Sequence, residues 1–233
     1  VIALVHRAEN LLLAATLALL LLLGVASAST TFSNTDELIR HLTLLVGMLG
    51  GMAAAREGRL LSMGTIAHAM PQRWKPAIEA YTGLVATTVS AVLTLAAWQF
   101  VAQEAESSSS LAFGVPRIAL QAVMPLGFAF ITLRLARHAG SGYGLRVAVL
   151  VIAIALTAAV AHFDGGIAGL RTPLLVALAV AILFGAPLFV GLAGIALIFF
   201  ISVGDPIASV PLDHYDQVTN PLLATLPLFT LAG

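Results

Sequence analysis

The chain has 233 residues, 60% of them hydrophobic and only 9% charged, against roughly 25% charged in an ordinary soluble domain. Its mean hydropathy of +1.02 assigns it to the membrane, and a net charge of zero leaves no basic surface of the kind nucleic-acid binding requires. Cysteine is absent, which excludes disulfides, thiolate nucleophiles and Cys-based metal sites.

A helix rises 1.5 Å per residue, so about 20 apolar residues cross the hydrocarbon core. On that measure the chain divides into six spans, approximately 8–28, 38–55, 78–101, 117–137, 146–162 and 173–203, with a seventh segment starting near 220. The expected fold is therefore an all-α integral membrane protein with about six transmembrane helices plus the start of a seventh segment. Helices are required because each unpaired backbone group in hydrocarbon costs several kcal/mol.

The first run closes on Ala26-Ser27-Ala28, a pattern that signal peptidase cuts. Its length of about 18 residues exceeds a signal h-region and reads as an uncleaved span. The second span carries Gly47 and Gly51, a G-x-x-x-G pair that lets another backbone approach closely. It ends in Arg56-Glu57-Gly58-Arg59, where Arg56 and Arg59 are candidates either for headgroup anchoring or for docking a neighbouring domain. Ser62 to Ala77 is too polar to span and, with Trp74 between Arg73 and Lys75, reads as an interfacial segment. The run 173–203 exceeds one crossing, so it should tilt or kink at Gly185 and Pro187. Pro221 and Pro227 mark the terminal segment NPLLATLPLFTLAG as broken or interfacial.

Basic residues in short loops set orientation. Arg56, Arg59, Arg73 and Lys75 follow span two, and Arg134, Arg137 and Arg146 surround the fourth connection. These loops, and with them the N-terminus bearing Arg7, are expected on the cytoplasmic side. Six full crossings would also place 204–219 there, although that loop contains three Asp and neither Lys nor Arg.

Chemistry-bearing patterns are sparse. Asp213-His214-Tyr215-Asp216 has too few ligands for a metal site and reads as a solvated loop, as do Glu104 with Glu106 and the His162–Gly166 stretch. No G-x-S-x-G, H-E-x-x-H or Walker A pattern is present, so neither an enzyme nor a cofactor is indicated. The centres of the six spans hold no ionisable residue of the kind that marks an ion path, which suits a scaffold better than a transport core.

Two stretches resemble a known family. Leu42 to Met70, followed by Pro71-Gln72-Arg73, resembles the small membrane subunit of the tripartite ATP-independent periplasmic (TRAP) transporters, with Arg56-Glu57-Gly58-Arg59 fitting its basic motif. Leu60 and Leu61 stand where that motif usually has His and Ile. Leu174 to Ile201 with the terminal Leu223-Ala224, Pro227-Leu228-Phe229 and Ala232-Gly233 looks like the opening of the large TRAP subunit. The resemblance implies a fused permease: a small-subunit-like domain over 1–140, a linker with one span over 141–170, and the start of a large transport domain over 171–233. It further implies sodium-coupled uptake of small carboxylates in the bacterial inner membrane, supplied by a periplasmic substrate-binding protein. Substrate and sodium sites would lie beyond Gly233, in the remainder of the large domain. An alternative reading is a membrane assembly protein, without transport, that recruits a partner through the Gly47/Gly51 face.

Overall fold

The structure is a computed structural model that describes residues 2–29, 35–62, 70–105, 116–140, 142–162 and 168–220. Pro221, Pro227 and the rest of the terminal segment lie outside the described residues. The described residues are mostly helical and form no strand beyond one isolated bridge. In chain order the helices are α1 (Ile2–Ser29), α2 (Thr35–Glu57), α3 (Lys75–Glu104), α4 (Arg117–Gln121), α5 (Val123–His138), α6 (Tyr143–Ala161), α7 (Arg171–Leu183), α8 (Leu188–Val203) and α9 (Ser209–Val218).

Five stretches are long and apolar enough to cross a membrane: His6–Ala26, Glu37–Glu57, Gln72–Glu104, Arg117–His138 and Tyr143–Ala161. The fourth joins α4 to α5. Pro125 has no N–H for the Gln121 carbonyl, which interrupts the regular ladder at Ala122. α3 is the central helix, packed against α5, α6, α8 and α9, while α1 lies against α2.

The sixth span of the sequence reading is corrected. Residues 173–203 do not form one tilted, kinked crossing; they form two shorter helices, α7 and α8. The stop is set by Gly185 more than by Pro187. Gly185 adopts φ +105, its N–H bonds to the Ile182 carbonyl at 3.0 Å, and the Ala186 N–H bonds to the Ala181 carbonyl at 2.8 Å. This paired closure around a positive-φ glycine is a Schellman C-cap, and the proline two residues later prevents resumption along the same axis. The same device ends α2 at Gly58 and α8 at Gly204.

Beyond the turn the chain doubles back. A Cβ on Gly191 would meet Ile182, and one on Gly194 would meet Leu178 at 2.8 Å. As one partner advances along α7 the other retreats along α8, so the pair is an antiparallel hairpin with glycines admitting the facing side chains. At ~1.5 Å per residue, its 13- and 16-residue legs are about 20 and 24 Å long, short of the ~30 Å core. The tip is held to the segment after α2: the Leu188 N–H donates to the Leu61 carbonyl at 2.8 Å, and Ser62 bridges Pro187.

This hairpin removes a conflict in the charge pattern. Both open ends of the hairpin lie opposite its tip, so α9 sits at the end of the bundle where α2 begins and α3 ends. Arg7, Arg56, Arg59, Arg73, Lys75, Arg134, Arg137 and Arg146, eight of the eleven basic residues, belong to the other end. The Asp205–Asp216 stretch is thereby separated from the basic face, as its composition requires.

Candidate functional site

The basic end is organised around Glu9. Its carboxylate accepts from Arg56 at 2.9 Å and from Arg134, joining α1, α2 and α5 through one acid. Arg56 also donates to Asn10 Oδ1 at 2.8 Å and to the His6 carbonyl at 3.4 Å, and Arg134 donates to the Met52 carbonyl. The Glu9, Arg56 and Arg134 side chains are largely buried. Two guanidiniums on one carboxylate leave a net positive charge there, partly balanced by Glu57 at 3.1 Å from Arg56.

Arg56 and Arg59, paired in the sequence reading, therefore part company. Arg56 is committed to an internal network and offers little to an outside partner. Arg59 follows the αL turn at Gly58; its side chain is 80% exposed and, among the described residues, pairs with Glu57 at 3.7 Å. Trp74 and Trp98 are exposed toward opposite ends of α3, where amphipathic anchors belong.

At the opposite end the contacts are mostly neutral. His41 is buried on α2. Its Nδ1 lies 2.8 Å from the Glu37 carbonyl, which can only accept, so Nδ1 carries the proton and Nε2 accepts from the Tyr215 hydroxyl at 2.6 Å. Phe100 packs beside the phenol ring with centroids 5.6 Å apart. Tyr215, outside the spans, has its pKa raised, chiefly because burial disfavours the phenolate. Arg117 ties the same region together, 3.0 Å from Glu37 and 3.9 Å from Glu104.

The stretch 213–216 is divided by the pitch of α9. Tyr215 turns inward, while Asp213, His214 and Asp216 are exposed. Among the described residues, no group of three or more His, Cys, Asp or Glu side chains is placed to hold a metal ion.

Gly47 and Gly51 do not carry a close helix contact among the described residues. Nothing lies within 4 Å of a Cβ built on Gly47, and only the Ile131 methyl, at 3.6 Å, faces Gly51. Both line an apolar cavity of about 480 Å³ with Phe189 and Leu192 of α8 and Pro211 of α9. Close approach occurs at glycines that a G-x-x-x-G search passes over. A Cβ on Gly83 would lie 2.6 Å from the Ala139 Cα, and one on Gly127 would strike the Met48 side chain.

The sequence reading missed Glu9, Arg134 and the His41–Tyr215 pair as cross-links. The available signal was Glu9 itself, an acid at the start of the first span, two residues after Arg7. Arg134 sits one turn inside the end of α5, close enough to the loop to pass as a topology marker.

A bundle of apolar helices whose ion pairs gather at its two ends defines a multi-pass membrane protein. Comparison with protein families then specifies which: the family described as tripartite ATP-independent periplasmic transporters, DctQ component, matches residues 17–144. The chain belongs to that family, whose members are components of transporters that also comprise a periplasmic binding protein and a large membrane subunit. No curated protein and no solved structure gave a significant match. The matched region ends at the start of α6, leaving α6, the hairpin and α9 beyond it.

Proposed function

We propose that the chain is the small-subunit portion and the beginning of the large-subunit portion of a fused TRAP permease. In this reading residues 1–140 form the small-subunit-like scaffold, 141–170 supply a linker helix, and 171–233 open the transport domain. The permease imports small carboxylates into the cell with a sodium gradient, taking them from a periplasmic binding protein. The observation that carries the proposal is the DctQ match over 17–144, continued by two short apolar helices packed onto the matched helices.

The basic end faces the cytoplasm in this reading, and the N-terminus with it. Three further features support the assignment: eight basic residues gather at one end, α6 has crossing length, and the acidic 205–216 stretch lies at the other end. The role of these residues is to hold a frame. Their polar chemistry is spent on contacts between helices, and the solute and sodium sites belong to the remainder of the large domain.

Uptake of radiolabelled carboxylates into proteoliposomes tests the proposal, using the full-length gene product and its binding protein. Accumulation that needs both the binding protein and an inward sodium gradient is expected. Accumulation indifferent to sodium overturns the coupling. A coding sequence that stops at Gly233 overturns the fusion.

A further inference from the structure

Little polar chemistry holds α9 to the bundle. Among the described residues no ion pair reaches it, and its apolar contacts run through Val210 and Tyr215. Tyr215 adds a hydrogen bond: its hydroxyl donates to His41 Nε2 at 2.6 Å, with the two rings edge to face and their centroids 5.7 Å apart. His41 is 3% exposed, and its other nitrogen is committed, Nδ1–H donating to the Glu37 carbonyl at 2.8 Å. Nε2 is therefore where this imidazole can take up a proton, and the Tyr215 hydroxyl occupies that position.

A proton at Nε2 removes the acceptor. The imidazolium then presents donors on both nitrogens, and keeping the contact requires the phenol proton to find another acceptor. Burial makes a charge costly at this position, and Arg40 of the same helix and Arg117 of α4 add repulsion; Glu37, which attracts it, already pairs with Arg117 at 3.0 Å. Around Tyr215 stand Arg117, Glu104 of α3 and Asp216 of α9, and Asp213 and His214 complete the titratable groups of α9. Helices α1 and α5 also pack on α2, but their titratable side chains, His6, Arg7 and Glu9 on one and Arg134, Arg137 and His138 on the other, belong to the opposite end.

We propose that His41 and Tyr215 form a proton-operated latch: neutral His41 holds α9 against the bundle, and protonation of Nε2 releases α9. Release is favoured over reversal of the bond because it lets water solvate the imidazolium and accept from the phenol in one step. The latched form excludes the proton, whereas the released form binds it with the ordinary imidazole affinity, near pH 6.5. Opening is therefore flat above that value and rises by up to about tenfold per pH unit below it. The latch lies at the end of the bundle opposite the basic loops, and it requires no particular substrate or coupling ion.

Hydrogen–deuterium exchange of α9 reads the latch directly, in full-length protein reconstituted into lipid nanodiscs and with rates corrected for intrinsic amide exchange. Protection of Ser209–Val218 should fall about tenfold between pH 7.5 and pH 5.5 in wild type, while protection of α3 stays constant. H41Q keeps an acceptor for the Tyr215 hydroxyl but cannot be charged, so α9 should remain protected at both pH values. Y215F, which deletes the hydroxyl and keeps the ring, should raise exchange of α9 at least fivefold already at pH 7.5, and H214Q should retain the wild-type response. Circular dichroism and gel filtration establish that each variant is folded, and Y215F carries the test should H41Q fail to fold. Equal protection at both pH values in wild type overturns the latch, because the bond then reverses in place without freeing α9. So does a pH response that survives in H41Q or disappears in H214Q, which would assign it to another group, or exchange in Y215F equal to wild type at pH 7.5.

Discussion

The two ends of the bundle are fastened by different chemistry. At the basic end three helices converge on one carboxylate, with Arg56 and Arg134 both drawn to Glu9. At the other end, a neutral hydrogen bond joins His41 to Tyr215, and the ion pairs of Arg117 remain partly exposed. The difference matters because a buried charge that loses its partner cannot be neutralised cheaply, whereas a neutral pair that breaks forfeits only its hydrogen bonds and their desolvation. The basic end is thus the more brittle of the two under substitution.

Removal of the shared carboxylate makes the sharpest test of that contrast. Glu9→Gln leaves two buried guanidiniums facing each other, and the expected loss is about 3–5 kcal/mol, the range for breaking a buried ion pair from one side. Reversible unfolding in mixed detergent micelles would measure it. A loss below ~1 kcal/mol, as for exposed pairs, would mean that water reaches the cluster and would remove the contrast between the ends.

Gly83→Ala tests the packing of the same end. The added methyl would lie 2.6 Å from the Ala139 Cα, a backbone atom that cannot rotate away. Overpacking of this kind costs about 1–3 kcal/mol, and the α3–α5 seam should loosen accordingly. Unchanged stability would show that these helix ends can separate freely.

At the neutral end, Tyr215→Phe keeps the ring packing against Phe100 and deletes only the hydroxyl. His41 Nε2 would then lose its partner, for a cost of about 1–2 kcal/mol. The pH dependence has a definite sign. Burial raises the Tyr215 pKa, so the folded protein holds the phenol proton more tightly than the unfolded chain does. That contribution is complete below the ordinary phenol value near 10 and is lost as pH rises through the higher folded value. Wild type should therefore weaken at alkaline pH more than the Phe variant. Parallel curves would show that the phenol is solvated.

What the sequence made legible and what it hid follow the same physical division. Spans one to five could be placed because hydrocarbon demands a length and a composition, and each of those helices spends enough residues to show it. The hairpin was concealed because 31 consecutive residues from 173 to 203 are apolar on both sides of the turn. Hydropathy does not distinguish a kink from a reversal. The distinguishing signal was local: Gly185 followed by Pro187 is a stop, and the missing positive charge in 204–219 was a second, independent sign that the chain had not crossed. The cross-links at the ends were hidden for another reason. Glu9 and Arg134 are 125 residues apart, and His41 and Tyr215 are 174 apart, so only the folded arrangement brings them together.

The smallest expected effect concerns the motif most conspicuous in the sequence. Gly47 sits mid-helix with nothing within 4 Å of the position a methyl would take. Gly47→Ala should therefore recover helix propensity of about 0.5–1 kcal/mol without a clash, the opposite sign to Gly83→Ala in the same bundle. Measured in the isolated chain, a gain or no change is the expected outcome. A loss would mean that α2 is approached there by another part of the protein. On the fused-permease proposal, the remainder of the large domain is the candidate to occupy the cavity lined by Gly47 and Gly51. Comparing Gly47→Ala in the isolated chain and in the full-length transporter separates the two cases: stabilising alone and destabilising in the assembly would identify this open face of α2 as a docking surface.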